Sequence, residues 1–97
     1  MIRVNVLKNK IEIIGHSNYD TLGKDIVCSA VSSIMITTVN AINKIDSKAI
    51  SYERNNDTSE IRILKKDNIT LNLIENMMEL FEELMEKYPK NIIVKER

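Results

Sequence analysis

The 97-residue chain is poor in the residues that mark disulfide frameworks, metal centres and aromatic binding surfaces. It has one cysteine, one histidine, two glycines, one proline and no tryptophan, and 4% of its residues are aromatic. A single cysteine excludes an internal disulfide, and a single histidine with a single cysteine has no spacing typical of a zinc site. We therefore expect a reduced thiol, no bound metal and no cofactor.

An excess of charge of one sign is also missing. Fourteen Lys and Arg residues balance fourteen Asp and Glu residues, so no global field attracts the protein to nucleic acid or to an anionic membrane. The first ten residues have neither the long apolar region nor the small-residue cleavage site typical of a secretory signal, so we expect none. The longest mostly apolar run is interpreted as far short of the roughly eighteen residues that span a bilayer. We expect a cytoplasmic protein that contacts neither nucleic acid nor membrane.

The length of the chain predicts a single domain over residues 1–97, because 97 residues have room for one modest core. Apolar and polar residues alternate in the first strand, and short apolar runs bounded by turn formers mark the others. The predicted strands cover residues 2–8, 11–14, 49–54, 60–65 and 91–95.

Two helices are predicted between these strands. After Asp25, an expected N-cap, apolar residues recur at three- and four-residue steps until the helix ends near Lys44. The second helix runs from about Ile69 to Tyr88, carries a solvated glutamate face, and is stopped by Pro89. The fold class is therefore α+β, in the order β-β-α-β-β-α-β, with two helices packed on one face of a mixed or antiparallel sheet of about five strands.

The segment from Gly15 to Cys28 contains the chain's only histidine, its only cysteine and both of its glycines. With Asp25 as N-cap, Cys28 lies in the first helical turn, where unpaired N–H groups and the helix dipole stabilise a thiolate. His16 directly follows the second strand, and the intervening loop can return its imidazole to the thiol. A cysteine and a histidine in contact form a nucleophile and its general base.

Other residues near this pair have expected supporting functions. The backbone N–H groups around Cys28 and Ser29 are placed to form an oxyanion hole if they lie in the first helical turn. Ser32 lies one turn beyond Cys28 and is placed to contact the thiolate or a bound peptide. Asp20 and Asp25 are both candidates to orient the imidazole, and the sequence does not choose between them.

Each of these residues also has an ordinary structural interpretation. A free cysteine on a helix is commonly a small buried hydrophobe, and a histidine at a strand end is commonly a surface residue. Asp25 is a sufficient N-cap without any chemistry, and the Ser32 hydroxyl can bond back to the carbonyl of Cys28. Glycines often supply positive φ at turns, which is the simplest interpretation of Gly15 and Gly23.

The strings "GH" at residues 15–16 and "GKDIVCSAVS" at residues 23–32, separated by a short loop with Tyr19, resemble the signature of the ribosomal-processing cysteine protease family, known as Prp. The "KYP" at residues 87–89 is similar to the family's C-terminal end. The resemblance implies a cysteine endopeptidase with Cys28 as nucleophile and His16 as general base, supported near the thiol by Asp25 and Ser32. Its implied substrate is the precursor of a large-subunit ribosomal protein, which loses an N-terminal extension, and its implied state is a homodimer.

The resemblance also implies that the loop between Gly15 and Gly23, including Tyr19, orders over bound substrate, with the two glycines as hinges. Ser17 and Ser29 stand where family members often have alanine. Two other functions stay open at this stage. One is a non-catalytic peptide-binding module in ribosome assembly, and the other is a thiol redox sensor.

Overall fold

A computed structural model describes residues 1–15 and 22–96, with the backbone alone for residues 22–25. The elements follow the predicted order of strands and helices. They are β1 (Ile2–Val6), β2 (Lys10–Ile14), α1 (Leu22–Ile45), β3 (Ile50–Asn55), β4 (Thr58–Ile63), α2 (Asn68–Lys87) and β5 (Ile92–Glu96). The α+β fold class is confirmed.

The sheet has five strands in the order β3-β4-β2-β1-β5. Two hairpins, β1–β2 and β3–β4, are joined side by side because β2 pairs with β4 in antiparallel register. β5 lies parallel to β1 at the far edge, so the sheet is mixed, as predicted. The register of β2 with β4 sets Ile14 opposite Thr58, which brings the end of β2 to the turn of the second hairpin.

One face of the sheet is buried by the helices. α1 contacts β3, α2 contacts β5, and the helices contact each other. The strands alternate as their sequences predict, with apolar side chains toward the helices and charged ones such as Glu12 and Glu60 on the other face. Burying such a face is the main stabilising contribution to a domain of this size. The core contains Ile2, Val4, Ile11, Ile13, Val27, Val31, Met35, Val39, Ile42, Ala49, Ile50, Ile61, Ile74, Met77, Met78, Phe81 and Ile92.

The expected start of the first helix was wrong. α1 begins at Leu22, so Asp25 lies within its first turn and is not the N-cap. Gly23 belongs to the same turn and is not a turn glycine ahead of the helix. A glycine destabilises a helix by only about 1 kcal/mol relative to alanine, so the helix continues through it. At the other end α1 stops at Ile45, one residue beyond the expected Lys44, and Ile45 is exposed rather than buried.

The expectation about apolar length was also wrong. Residues Ile26–Ile45 have a mean hydropathy of 1.5 and, by length and composition, satisfy the criteria for a membrane span. The reason is that Ser, Thr and Asn supply most of the polar positions of this stretch, and Lys44 is its only charged residue. Because Val27, Val31 and Met35 of this helix are buried in the core, we interpret α1 as a core helix.

α2 begins with a side-chain cap. The carboxylate of Asp67 accepts a hydrogen bond of 2.8 Å from the backbone N–H of Thr70, which the helix itself leaves unpaired. Hydrogen bonds from Thr70, the backbone N–H first, hold the pKa of Asp67 below its ordinary value. The glutamate face of α2 is exposed, as the sequence predicts.

The Asp67 cap predicts a pH-dependent contribution to stability. Because the pKa of Asp67 is lowered in the folded protein, its contribution is present above its ordinary pKa and disappears as the pH falls through the folded value. Asp67→Ala lowers the thermal unfolding midpoint at pH 7 by a few degrees. Asp67→Asn, which keeps a capping oxygen without a charge, keeps most of the midpoint but reduces its fall as the pH drops below about 4. An unchanged pH dependence in Asp67→Asn contradicts this assignment.

Candidate active site

A small pocket lies where β2 ends, between the second turn of α1 and the β3–β4 turn. Its volume is about 50 Å³, which holds a few water molecules but no large side chain. The wall on the core side is apolar, and the rim is polar. Its described lining consists of Ile2, Ile13, Gly15, Cys28, Val31, Ser32, Met35, Arg54, Asn56, Asp57 and Ser59.

Cys28 occupies this pocket as a half-buried side chain that also packs against the core. It is the seventh residue of α1, one turn after Lys24 and one turn before Ser32. The helical period that buries Val27 and Val31 turns Cys28 toward the pocket and Ser29 away from it. The thiol is therefore held on a rigid element at the edge of the core, with one side toward the pocket.

The longer helix removes the expected oxyanion hole. In a helix that begins at Leu22, the N–H groups of Cys28 and Ser29 bond to carbonyls four residues earlier, and the unpaired N–H groups belong to residues 22–25. The effect of the helix dipole falls off within the first turn, and Cys28 lies in the second. The backbone around Cys28 and Ser29 is therefore not the source of donors for a tetrahedral intermediate, contrary to the sequence expectation.

Gly15 connects the end of β2 to the second hairpin. Its φ is +114°, and its N–H donates a 2.9 Å hydrogen bond to the carbonyl of Asp57. A Cβ at this position would lie 2.6 Å from the carbonyl oxygen of Met1. Both the backbone angle and the close approach require glycine, so the interpretation of Gly15 as a positive-φ residue is confirmed.

The β3–β4 turn supplies pocket residues that the sequence analysis missed. Asn56 adopts a left-handed conformation with φ of 46°, which asparagine tolerates better than most residues, and Arg54 and Asp57 lie within two residues of it. The turn itself was predicted from "NNDTS", but its position beside the end of β2 was not. Only the pairing of β2 with β4 brings this turn to Gly15 and Cys28.

The other predicted site residues divide into three groups. Ser32 lines the pocket and makes no hydrogen bond among residues 1–15 and 22–96, so its alternative bond to the carbonyl of Cys28 is not formed. Ser29 is exposed and lies outside the pocket lining, while Gly23 and Asp25 lie in the first turn of α1. The predictions for His16 and the loop from Ser17 to Thr21, with Tyr19 and Asp20, fall outside the described residues.

Comparison with known families shows the class of the protein. The sequence model of the family described as cysteine protease Prp matches residues 1–93. The chain belongs to the Prp family of cysteine proteases. The ribosomal processing cysteine protease Prp of Staphylococcus aureus is 32% identical over 81 residues, which cover 80% of this chain and 76% of that relative.

Solved structures of similar fold include two from different bacteria. A crystal structure of a Streptococcus mutans protein matches with a TM-score of 0.88 at 23% identity, over 99% of this chain and 93% of that one. The S. aureus ribosomal processing protease Prp, crystallised with a substrate peptide, matches with a TM-score of 0.85 at 19% identity, over 99% and 97% of the two chains. At these identities the structural likeness shows that the Prp fold is shared.

Membership in the Prp family gives the pocket a chemical context. A cysteine protease needs a cysteine thiol as nucleophile, and this chain has a single cysteine, which lies in the pocket. The pocket combines that thiol with hydroxyl, amide and guanidinium donors from α1 and the second hairpin. Such a set can bind the polar backbone of a peptide beside the sulfur.

Gly15 provides a test of how the pocket is assembled. Gly15→Ala is expected to lower the free energy of unfolding by about 2–3 kcal/mol, because alanine is strained at positive φ and its Cβ meets the Met1 carbonyl. Gly23→Ala is the matched control and is expected to be neutral or slightly stabilising, because Gly23 has a helical backbone. Urea unfolding of both variants measures the difference. Equal effects of the two substitutions contradict the assigned positions.

Proposed function

We propose that the protein is an endopeptidase that removes the N-terminal extension of a large-subunit ribosomal protein precursor. The observation that carries this proposal is the position of the chain's single cysteine, in a pocket with polar donors, within a chain of the Prp family. Cys28 is the nucleophile, and His16 is the general base. The described relative from S. aureus is a ribosomal processing protease, which supports the same substrate class here.

The position of Gly15 supports the pairing of Cys28 with His16. Gly15 lines the pocket that contains Cys28, and His16 is the next residue of the chain. Because Cys28 lies in the second turn of α1, the helix dipole stabilises its thiolate little. The imidazole is therefore the group that activates the sulfur. Ser32 is proposed to contact the bound peptide, and Asp25 to act as a supporting residue near the dyad.

The reaction proceeds in two steps. The Cys28 thiolate bonds to the peptide carbonyl carbon, and the C=O electron pair moves to oxygen. That electron pair re-forms the C=O bond as the C–N bond breaks, and the His16 imidazolium protonates the leaving amine. Neutral His16 then takes a proton from water, whose hydroxide adds to the thioester carbon. The C–S bond breaks, releasing a carboxylic acid and restoring the thiolate beside the imidazolium.

The segment between Gly15 and the start of α1 is proposed to contact the substrate, with Tyr19 among the contacting residues. The protein is further proposed to work in the cytoplasm as a homodimer, and sedimentation at micromolar concentration measures that state. These assignments rest on the family resemblance, since both helices bury apolar residues within one chain.

Substitution of the nucleophile tests the activity. With a synthetic precursor extension as substrate, Cys28→Ala is expected to reduce cleavage by at least roughly 10⁴-fold, because the covalent pathway is lost. Ser33→Ala, on the exposed side of the same helix and outside the pocket, is the control and keeps wild-type activity. Cleavage that persists in Cys28→Ala excludes the mechanism, and peptide binding without cleavage by wild type supports the non-catalytic binding module instead.

The pH dependence of Cys28 alkylation by iodoacetamide tests the pair. We expect wild-type protein to be alkylated below pH 7 at a rate that falls in His16→Ala, because removal of the imidazolium destabilises the thiolate. Substrate peptide blocked at its scissile bond is added in a parallel series, since catalytic contacts tighten in the complex. Identical profiles for the two proteins in both series contradict His16 as the base. Reversible oxidation of Cys28 without proteolysis supports a redox sensor.

A further inference from the structure

Arg54 is the one described positively charged side chain in the lining of the Cys28 pocket. Side chains of β3 alternate between the two faces of the sheet, and Arg54 shares the helix-facing side with Ile50 and Tyr52. Ile50 is buried and Tyr52 packs against the core. Arg54 is the last residue on this face before the turn, so the strand directs a guanidinium to the pocket that contains the thiol.

Within the described part of the chain, Arg54 forms no ion pair. The other arginine of the same hairpin, Arg62, lies on the opposite face of the sheet and bonds to Glu60 through its Nε at 2.8 Å. Asp57, from the turn that follows β3, also lines the pocket. A guanidinium is always charged and presents five N–H donors in a planar fork that matches a carboxylate. Arg54 therefore has donors available at the pocket rim.

The size of the pocket limits what these donors can meet. About 50 Å³ admits an oxygen or a carboxylate group and not a large side chain. The atom that must approach Cys28 is the carbonyl carbon of the scissile bond. Its oxygen becomes negative in the tetrahedral intermediate and is one of two carboxylate oxygens in the product.

We propose that Arg54 binds the scissile carbonyl oxygen as its negative charge develops and then holds the new carboxylate of the N-terminal fragment. This inference rests on the proposed endopeptidase activity. Arg54 takes the place of the backbone donors expected at Cys28 and Ser29, because the N–H groups of those two residues are paired within α1. A charged donor beside the reacting oxygen lowers the barrier because it acts on charge that the ground state lacks.

Binding of product peptides tests the proposal without turnover. Two synthetic peptides copy the precursor extension up to the cleaved residue, one ending in a free carboxylate and the other in an amide. In a Cys28→Ala background, we expect the carboxylate peptide to bind about 10-fold more tightly than the amide. Adding Arg54→Gln removes this preference, whereas Arg54→Lys keeps part of it.

Arg62→Gln in the same Cys28→Ala background is the matched control, because it removes an arginine from the same hairpin on the other face of the sheet. It is expected to leave the carboxylate preference unchanged. With Cys28 intact, Arg54→Gln lowers kcat/KM by about 10- to 100-fold, chiefly through kcat, while Arg62→Gln stays within about 2-fold. Thermal unfolding of each variant separates these effects from loss of fold.

Two results overturn the assignment of Arg54. One is an absence of carboxylate preference in the Cys28→Ala protein, including failure of both peptides to bind. The other is a preference that survives Arg54→Gln. Failure of the proposed function looks different, because a wild-type protein that does not cleave the precursor can still show an Arg54-dependent preference for a carboxylate.

Discussion

The site depends on one backbone contact, the 2.9 Å hydrogen bond from the N–H of Gly15 to the carbonyl of Asp57. It fastens the end of β2 to the turn of the second hairpin and fixes the distance between two segments that are far apart in sequence. The positive φ of Gly15 and its approach to Met1 leave no room for a Cβ. The contact continues the pairing of β2 with β4, which brings the turn to the side of the pocket that faces Cys28.

The two walls of the pocket come from different parts of the fold. The sheet and the core face of α1 hold Cys28 on a rigid element, because Val27 and Val31 on either side of it are buried. The second hairpin then supplies polar side chains to the opposite wall of the pocket. The core holds the thiol, and the hairpin holds the polar donors. Each can therefore be substituted without changing the residues of the other wall.

The element order and the α2 glutamate face were predictable, because each depends on periodicity within a short segment. Cys28 and Gly15 were also recognisable, from the clustering of rare residues. The start of α1 was not, since Asp25 is a good N-cap by residue type and the helix nevertheless begins at Leu22. Arg54, Asn56 and Asp57 were missed because strand register, which places their turn beside β2, depends on pairing across the whole sheet. The class of chemistry was predicted from the resemblance of residues 15–16 and 23–32 to the Prp signature, and the match of the Prp family model to residues 1–93 confirms it.

The central claim is that Cys28 forms a thioester with the N-terminal fragment of its substrate. Hydroxylamine tests this most directly, because it intercepts a thioester but not a carboxylate. When precursor peptide is cleaved in its presence, the account predicts that part of the N-terminal fragment carries a hydroxamate at the cleaved carbonyl, detected by mass spectrometry. A fragment that carries only a carboxylate, at hydroxylamine concentrations that convert a model peptide thioester, would contradict it.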